Sequence, residues 1–402
     1  METNREKIRL DTITLSLFIL LLGVGFATLL SASYFRGELY KGDPYFYVAS
    51  QGKKLLLAVI AMVVIYFTPT RIWRTLAIPM AAASLLLLLL AFVPGFRENV
   101  MNTGRWIKIA GVRLQPSEIA KIGVVVYMAR SLADKGELAR GFSRGFLPSV
   151  LVLLLFGSLI VYGMDLGGAV VMAGIVLAMA FASGLKKVYV GLFVLLLGIG
   201  VCYFVAKYAY RIDRIAGWLD PEADPAGTGY AILHSFFAFA NGGLHGMGPG
   251  AGIEKQFYIP EVHTDYIFAV VGEELGFAGV VFVCGLFLAL VARGLLVARS
   301  AADLFDFHLA VGATLIVGIP AFVNMGVTLS LWPSKGLALP FFSYGGSNLV
   351  VSCAAAAMLL RVAAQGTANR ERVTGLKNVR SPGPVREAAT PPPEGLAPGV
   401  ER

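Results

Sequence analysis

The chain has 402 residues, 57% of them hydrophobic and only 15% charged, with a formal net charge of +9 and a mean hydropathy of +0.72. Average soluble proteins carry about 25% charge, so a soluble globular fold is excluded. The excess of cations does not argue for nucleic acid either, because many fall in short loops between apolar runs.

Spanning ~30 Å of hydrocarbon takes about 20 apolar residues. Such runs occur at roughly 13–33, 53–68, 75–94, 117–134, 146–163, 167–185, 187–209, 265–292, 307–331 and 346–364. They predict an all-α polytopic membrane protein of about ten transmembrane helices, forming one membrane domain over 1–365. A large extracytoplasmic loop is expected at 210–264 between helices seven and eight, and a disordered cytoplasmic tail at 366–402. The first run follows Arg5, Lys7 and Arg9 as a signal peptide would, but Ser31-Ala32-Ser33 leads straight to another span. It is therefore expected to be a retained helix.

Alternate connections hold Arg71 and Arg74, then Arg130, Lys135, Arg140 and Arg144, then Lys186 and Lys187, then Arg293 and Arg299. By the positive-inside rule that side is cytoplasmic, which places both termini there. Cys202, Cys284 and Cys353 sit in apolar runs without paired spacing and are expected to be buried hydrophobes.

The first outer segment carries Gly104-Arg105-Trp106 and then Gln115-Pro116-Ser117-Glu118-Ile119-Ala120-Lys121, where Pro116 fits a helix start. Ser117 and Lys121 share a helix face. Lys121 either meets an anionic lipid headgroup beside an interfacial Trp106, or pairs with Glu118 at i,i+3. The fourth span is weak in hydropathy because Glu118, Lys121 and Arg130 interrupt it, which points its polar face into the bundle.

In the long loop, Lys207, Arg211 and Arg214 would form a cationic face if the seventh helix continued that far. That face would receive a phosphate or simply snorkel. Gly242-Gly243, Gly246, Gly248, Gly250 and Gly252 permit a tight backbone path, without the Lys-Ser/Thr of a P-loop. Glu261, His263 and Asp265 then put three ionisable groups within five residues at the start of the eighth helix. There Asp265 is placed for chemistry or for simple capping. Glu273 and Glu274 lie deeper, as consecutive acids in an apolar span. No His/Cys set has metal spacing. Lys335 stands between the last two spans with no acid near it in sequence, followed by Ser343-Tyr344-Gly345-Gly346-Ser347. These small polar residues would line a cavity or let helices pack closely.

Together these motifs resemble the SEDS family (FtsW, RodA and SpoVE) over roughly 10–365. The segments that carry the likeness are the Arg105-Trp106 and Gln115–Lys121 runs, Pro260-Glu261-Val262-His263-Thr264-Asp265 with Gly272-Glu273-Glu274-Leu275-Gly276, and Lys335-Gly336 with the Ser343–Ser347 run. Lys335 before Gly336 resembles the division branch more than the elongation branch. Two departures occur in the long loop: Ala231 follows Gly229-Tyr230 where the family has Gln, and Gly248-Pro249-Gly250-Ala251-Gly252 replaces Gly-Leu-Gly-x-Ser.

The resemblance implies a peptidoglycan glycosyltransferase that polymerises lipid II at the outer face of the bacterial cytoplasmic membrane. It further implies a class B penicillin-binding protein as partner, with other divisome or elongasome membrane proteins and no nucleic acid. Asp265 matches the residue required for polymerisation. Arg105, Lys121, Arg214 and Lys335 are then expected to stabilise the diphosphate, with Trp106, Ser117, Glu261, His263 and Ser343 completing the substrate-binding set. No metal site or cofactor is assigned, and a divalent cation is left open. A lipid flippase or secondary transporter would also carry intramembrane acids, and a scaffold would use the polar residues for packing alone. Glycan product separates the first reading from both.

Overall fold

A computed structural model describes residues 10–100, 103–109 and 111–380. The cationic lead at 5–9 and the end of the tail, 381–402, lie outside the described residues. Each expected span coincides with a helix: α1 (Thr12–Lys41), α2 (Phe46–Phe67), α3 (Thr70–Leu90), α4 (Pro116–Lys135), α5 (Leu147–Tyr162), α6 (Leu166–Ala182) and α7 (Lys187–Ala206). After the long loop come α10 (Ile267–Arg299), α11 (Leu304–Thr328) and α12 (Gly346–Arg380). Eight of these meet the length and hydropathy of a membrane span, α5 doing so together with the helical turn from Phe142 that precedes it; α6 is shorter and α4 carries the charges that weakened it in sequence.

Burial sorts the helices. The apolar window of α12 is 89% buried and that of α7 only 6%, so α12 is central and α7 faces lipid. Residues of α4 and α11 pack alongside, with Val124, Val125, Val126, Ala310 and Ala313 in the shared core. This explains the polar fourth span: Ser117, Glu118 and Lys121 point into protein, where hydrocarbon never meets them. Helix α12 continues to Arg380, past the tail boundary expected at 366, because no proline interrupts the sequence before Pro382.

The two long connections, before α4 and before α10, are not bare loops. The first folds into an antiparallel sheet in the order β1 (Arg97–Val100), β2 (Thr103–Ile109) and β3 (Val112–Leu114), the one departure among the described residues from an all-helical chain. The long loop holds α8 (Ala209–Leu219) and α9 (Tyr230–Gly242). A non-helical Gly276 (φ 66°) kinks α10 and frees backbone groups, which the 243–248 segment satisfies. Met247 and Gly248 N–H donate to the carbonyls of Glu273 and Glu274 (both 3.0 Å), while the carbonyls of Gly243 and Leu244 accept from Phe277 and Ala278. Gly246 makes the approach possible, because a Cβ there would lie 2.1 Å from the Glu274 carbonyl oxygen. Irregular backbone beside a span is tolerated only with such pairing.

The deep acids belong to this junction. The Glu273 carboxylate accepts N–H bonds from Ile253 (2.8 Å) and Glu254 (3.0 Å), and Glu274 forms a buried ion pair with Lys255. They anchor the glycine-rich loop.

Contacts also sort the connections into two ends. Arg74 with Asp134, Arg293 with Asp11 and Thr70 with Gln365 meet at one end. Arg36 with Glu261, Gln115 with Ser347 and Trp218 with Ser330 meet at the other.

Candidate active site

Asp265 lies in the turn before α10, where its N–H donates to the Glu261 carbonyl (3.0 Å). It does not cap the helix. Tyr266 holds the N-cap position, with no side-chain cap bond. The carboxylate instead reaches Gly336: a Cβ there would fall 2.9 Å from Asp265 Oδ2, so only glycine lets the 333–336 segment approach so closely.

Asn324, near the C-terminal end of α11, fixes this juxtaposition. Its buried amide donates to the carbonyls of both Asp265 (2.8 Å) and Leu337 (2.6 Å). Tyr344 N–H donates to the His263 carbonyl, and Ser343 Oγ donates to that of Thr264 while accepting from Leu339 N–H. Ser343 therefore holds the two segments together and is spent on backbone.

Gly336 lines a cavity of about 170 Å3 between β2, the α5–α6 junction, the α7–α8 junction and the 333–336 segment. Four cations stand on its wall: Arg105, Arg211, Arg214 and Lys335. Arg211 donates to Tyr210 Oη (2.9 Å) and the Phe204 carbonyl (2.8 Å), yet its Nη2 is buried without a partner, as is Arg105 Nε. Buried donors left open on one wall fit an anionic ligand with several acceptor oxygens.

The electrostatics bear on both chemical roles. Burial raises the Asp265 carboxyl to about 6, with Arg105 and Arg214 pulling it down and Glu261 pushing it up. Burial lowers Lys335, Arg211 lowers it further, and Asp165 opposes both. Burial pushes His263 down to about 4, so it is neutral at physiological pH. A carboxylate tuned toward neutrality beside a cationic cavity can take a proton while the cations receive negative charge.

The other sequence candidates divide. Arg105, Arg214 and Lys335 come together on the cavity wall. Lys121 does not: it is buried in an ion pair with Glu118 (2.7 Å), the i,i+3 alternative. Trp106 follows Arg105 on a strand and so takes the opposite face. Ser117 Oγ donates to Asp165 (2.9 Å) rather than to the cavity. Glu261 pairs with Arg36 (3.1 Å), and His263 lies against the rings of Tyr47 and Tyr344. The three-cation face does not form as one helix, because α7 stops at Ala206 and Tyr208 is extended before α8. Asp165 was missed altogether. Its only sequence signal is an acid in the short gap between the fifth and sixth apolar runs, ahead of Gly167-Gly168.

The chain is similar to known proteins along most of its length. The family described as cell cycle protein (FtsW, RodA, SpoVE) matches residues 11–368. The probable peptidoglycan glycosyltransferase FtsW of Geobacter metallireducens is 42% identical, over 89% of this chain and 96% of that protein. Its counterpart in Trichlorobacter lovleyi is 39% identical, over 90% and 96%. Among solved structures, a peptidoglycan synthase complex, in a study of coordinated polymerization and crosslinking, superposes with a TM-score of 0.73 at 30% identity, covering 89% of this chain and 98% of that one. The rod shape determining protein RodA of Thermus thermophilus gives 0.65 at 26% identity, covering 89% and 97%.

Proposed function

This chain belongs to the FtsW, RodA and SpoVE family, and we propose on that premise that it polymerises lipid II with Asp265 as general base. It is a multi-pass membrane protein and a peptidoglycan glycosyltransferase of cell division or cell shape. The observation that carries the site assignment is the Asp265 carboxylate beside Gly336, on the edge of a cavity walled by four cations.

The reaction follows from that arrangement. The acceptor sugar hydroxyl gives its proton to Asp265 as its oxygen bonds to the anomeric carbon of the donor. The bond from that carbon to the lipid diphosphate breaks, and the diphosphate leaves with the electron pair. Arg105, Arg211, Arg214 and Lys335 stabilise the charge that grows on the leaving group, and a low-dielectric cavity strengthens each contact. One displacement converts an α-linked diphosphate sugar to a β-glycosidic bond, so no covalent enzyme intermediate is needed.

The synthase complex with which the chain superposes supports a cross-linking partner, which we assign as a class B penicillin-binding protein. The cation-rich connections that share one end of the bundle support a cytoplasmic assignment for that end and for both termini. The catalytic end then faces outward.

Purified protein, reconstituted with its partner and given lipid II, should yield long glycan strands. Lipid II translocated across a vesicle membrane without any glycan product would replace this reading with the flippase.

A further inference from the structure

Against four cations, the cavity wall carries one acid among the described residues, Asp165. We propose that Asp165 is a positioning residue for the transfer: fixed at the α5–α6 junction on the same cavity wall as Lys335, it holds that lysine in its charged form for the substrate's diphosphate. The inference rests on the cavity being the diphosphate site.

Asp165 is 5% exposed and both its oxygens are engaged. Oδ1 accepts from Gly168 N–H (2.8 Å) and so caps α6. Oδ2 accepts from Ser117 Oγ (2.9 Å) and Gln115 Nε2 (3.2 Å). Gly168 is required for this seat, since a Cβ there would stand 2.5 Å from Oδ2. All three donors are uncharged. They orient the carboxylate without neutralising it, and among the described residues no cation forms an ion pair with it. A buried charge needs compensation, and here the cavity cations provide it at longer range. A cap alone would not need two further donors on the other oxygen, nor a place on this wall.

Lys335 needs such a partner. The groups around it are Arg105 from β2, Tyr210, Arg211 and Arg214 from the α8 region, Asp165 from the α5–α6 junction and, beside Gly336, Asp265. Burial and Arg211 both favour loss of the Lys335 proton, and Asp165 resists that loss. Lysine is charged below its pKa. Removing the negative charge at Asp165 lowers that pKa further, so Lys335 loses its charge at lower pH than in the wild type. The Gln115-Pro116-Ser117 segment acquires a role as well: it aims Asp165.

The test measures lipid II affinity of the full-length protein in detergent, from about pH 6 to about pH 10, for wild type, Asp165→Asn and Lys335→Ala. Asn preserves a cap acceptor, so thermal unfolding should change little; if Asp165→Asn fails to fold, Asp165→Ser, also an N-cap residue, carries the experiment. Wild type should lose affinity along an alkaline limb that Lys335→Ala lacks. Asp165→Asn should move that limb to lower pH, with near-normal affinity at the acid end of the range and at least about a tenfold loss at the alkaline end, where tenfold corresponds to 1.4 kcal/mol. A limb that stays in place, or a uniform loss at every pH, overturns the role of Asp165 and leaves the cavity reading standing. Normal affinity in Lys335→Ala at every pH overturns the diphosphate cavity itself.

Discussion

Asp265→Asn separates chemistry from architecture. The side chain keeps its shape, and the groups that hold the turn are backbone: the Asp265 N–H to Glu261 and the Asp265 carbonyl to Asn324. Its carboxylate is not a helix cap, so no capping energy is lost. The sign on stability is in fact reversed. The carboxyl is raised from 3.8 to about 6, so its ionised form costs the folded state up to about 3 kcal/mol at 1.36 kcal/mol per unit. That penalty is present above the folded pKa and relieved as pH falls through it. Asn never bears it, so at neutral pH the variant should unfold at the wild-type temperature or above. Turnover should fall by about 10²–10⁴, the usual contribution of a general base, while lipid II still binds. Wild-type polymerisation should decline as pH drops through about 6, where the base becomes protonated and the neutral His263 has not yet begun to titrate. The assay is glycan chain formation from lipid II with the purified complex, read against thermal unfolding of the same preparation. More than about a tenth of wild-type turnover, outside the range for a lost base, would refute the assignment and move it to Glu261.

Lys335→Ala should weaken lipid II binding as well as turnover, by about tenfold or more for a charge-assisted contact worth roughly 1.5–3 kcal/mol; wild-type binding and turnover would return Lys335 to a solvated surface role. Asn324→Ala should destabilise the fold by about 2 kcal/mol or more, because two buried carbonyls lose their donor at 1–3 kcal/mol each; it should lower turnover along with thermal stability, and unchanged values in both would mean the two segments are held by other contacts. Cysteines introduced at Gly227 and Lys186 should label from opposite sides of sealed vesicles, with Gly227 outside. Labelling of both from one side would reject the topology.

The hydrophobic pattern made most of this fold legible, because spans follow from local composition and each apolar run became a helix. What stayed hidden depends on pairing across the chain. The kink at Gly276 is tolerable only because the 243–248 backbone fills the gap, so neither segment reveals it alone. The sheet was more accessible: Arg105, Ile107 and Ile109 alternate with Trp106 and Lys108 ahead of Gly111, a period-two pattern with a turn residue. Within the candidate site, Asp265, Arg105, Arg214 and Lys335 were singled out by residue type and motif, and the fold brings them to one cavity. Lys121 was open because its two readings use the same residues, and burial beside Glu118 closed it. Asp165 lies 170 positions from Lys335, and only the fold puts both on one cavity wall.

That late arrival explains a feature the motifs leave puzzling, a cavity crowded with like charges. Arg105, Arg211, Arg214 and Lys335 share a partly desolvated space: burial and then Arg211 lower the Lys335 ammonium, and two guanidinium donors are left without partners among the described residues. With Asp165 on the wall and Asp265 ionised beside it, four positive charges face two negative ones, leaving a surplus of two. Each phosphate of a diphosphate diester carries about one negative charge at neutral pH, so the substrate's charge matches that surplus. A site neutral when empty would stabilise the leaving group poorly, and one with four unopposed cations would shed a proton from the lysine first. The two aspartates thus act at opposite ends of one problem. Asp265 is raised toward neutrality so that its proton affinity suits a base, and Asp165 faces Lys335 so that the lysine need not lose a proton.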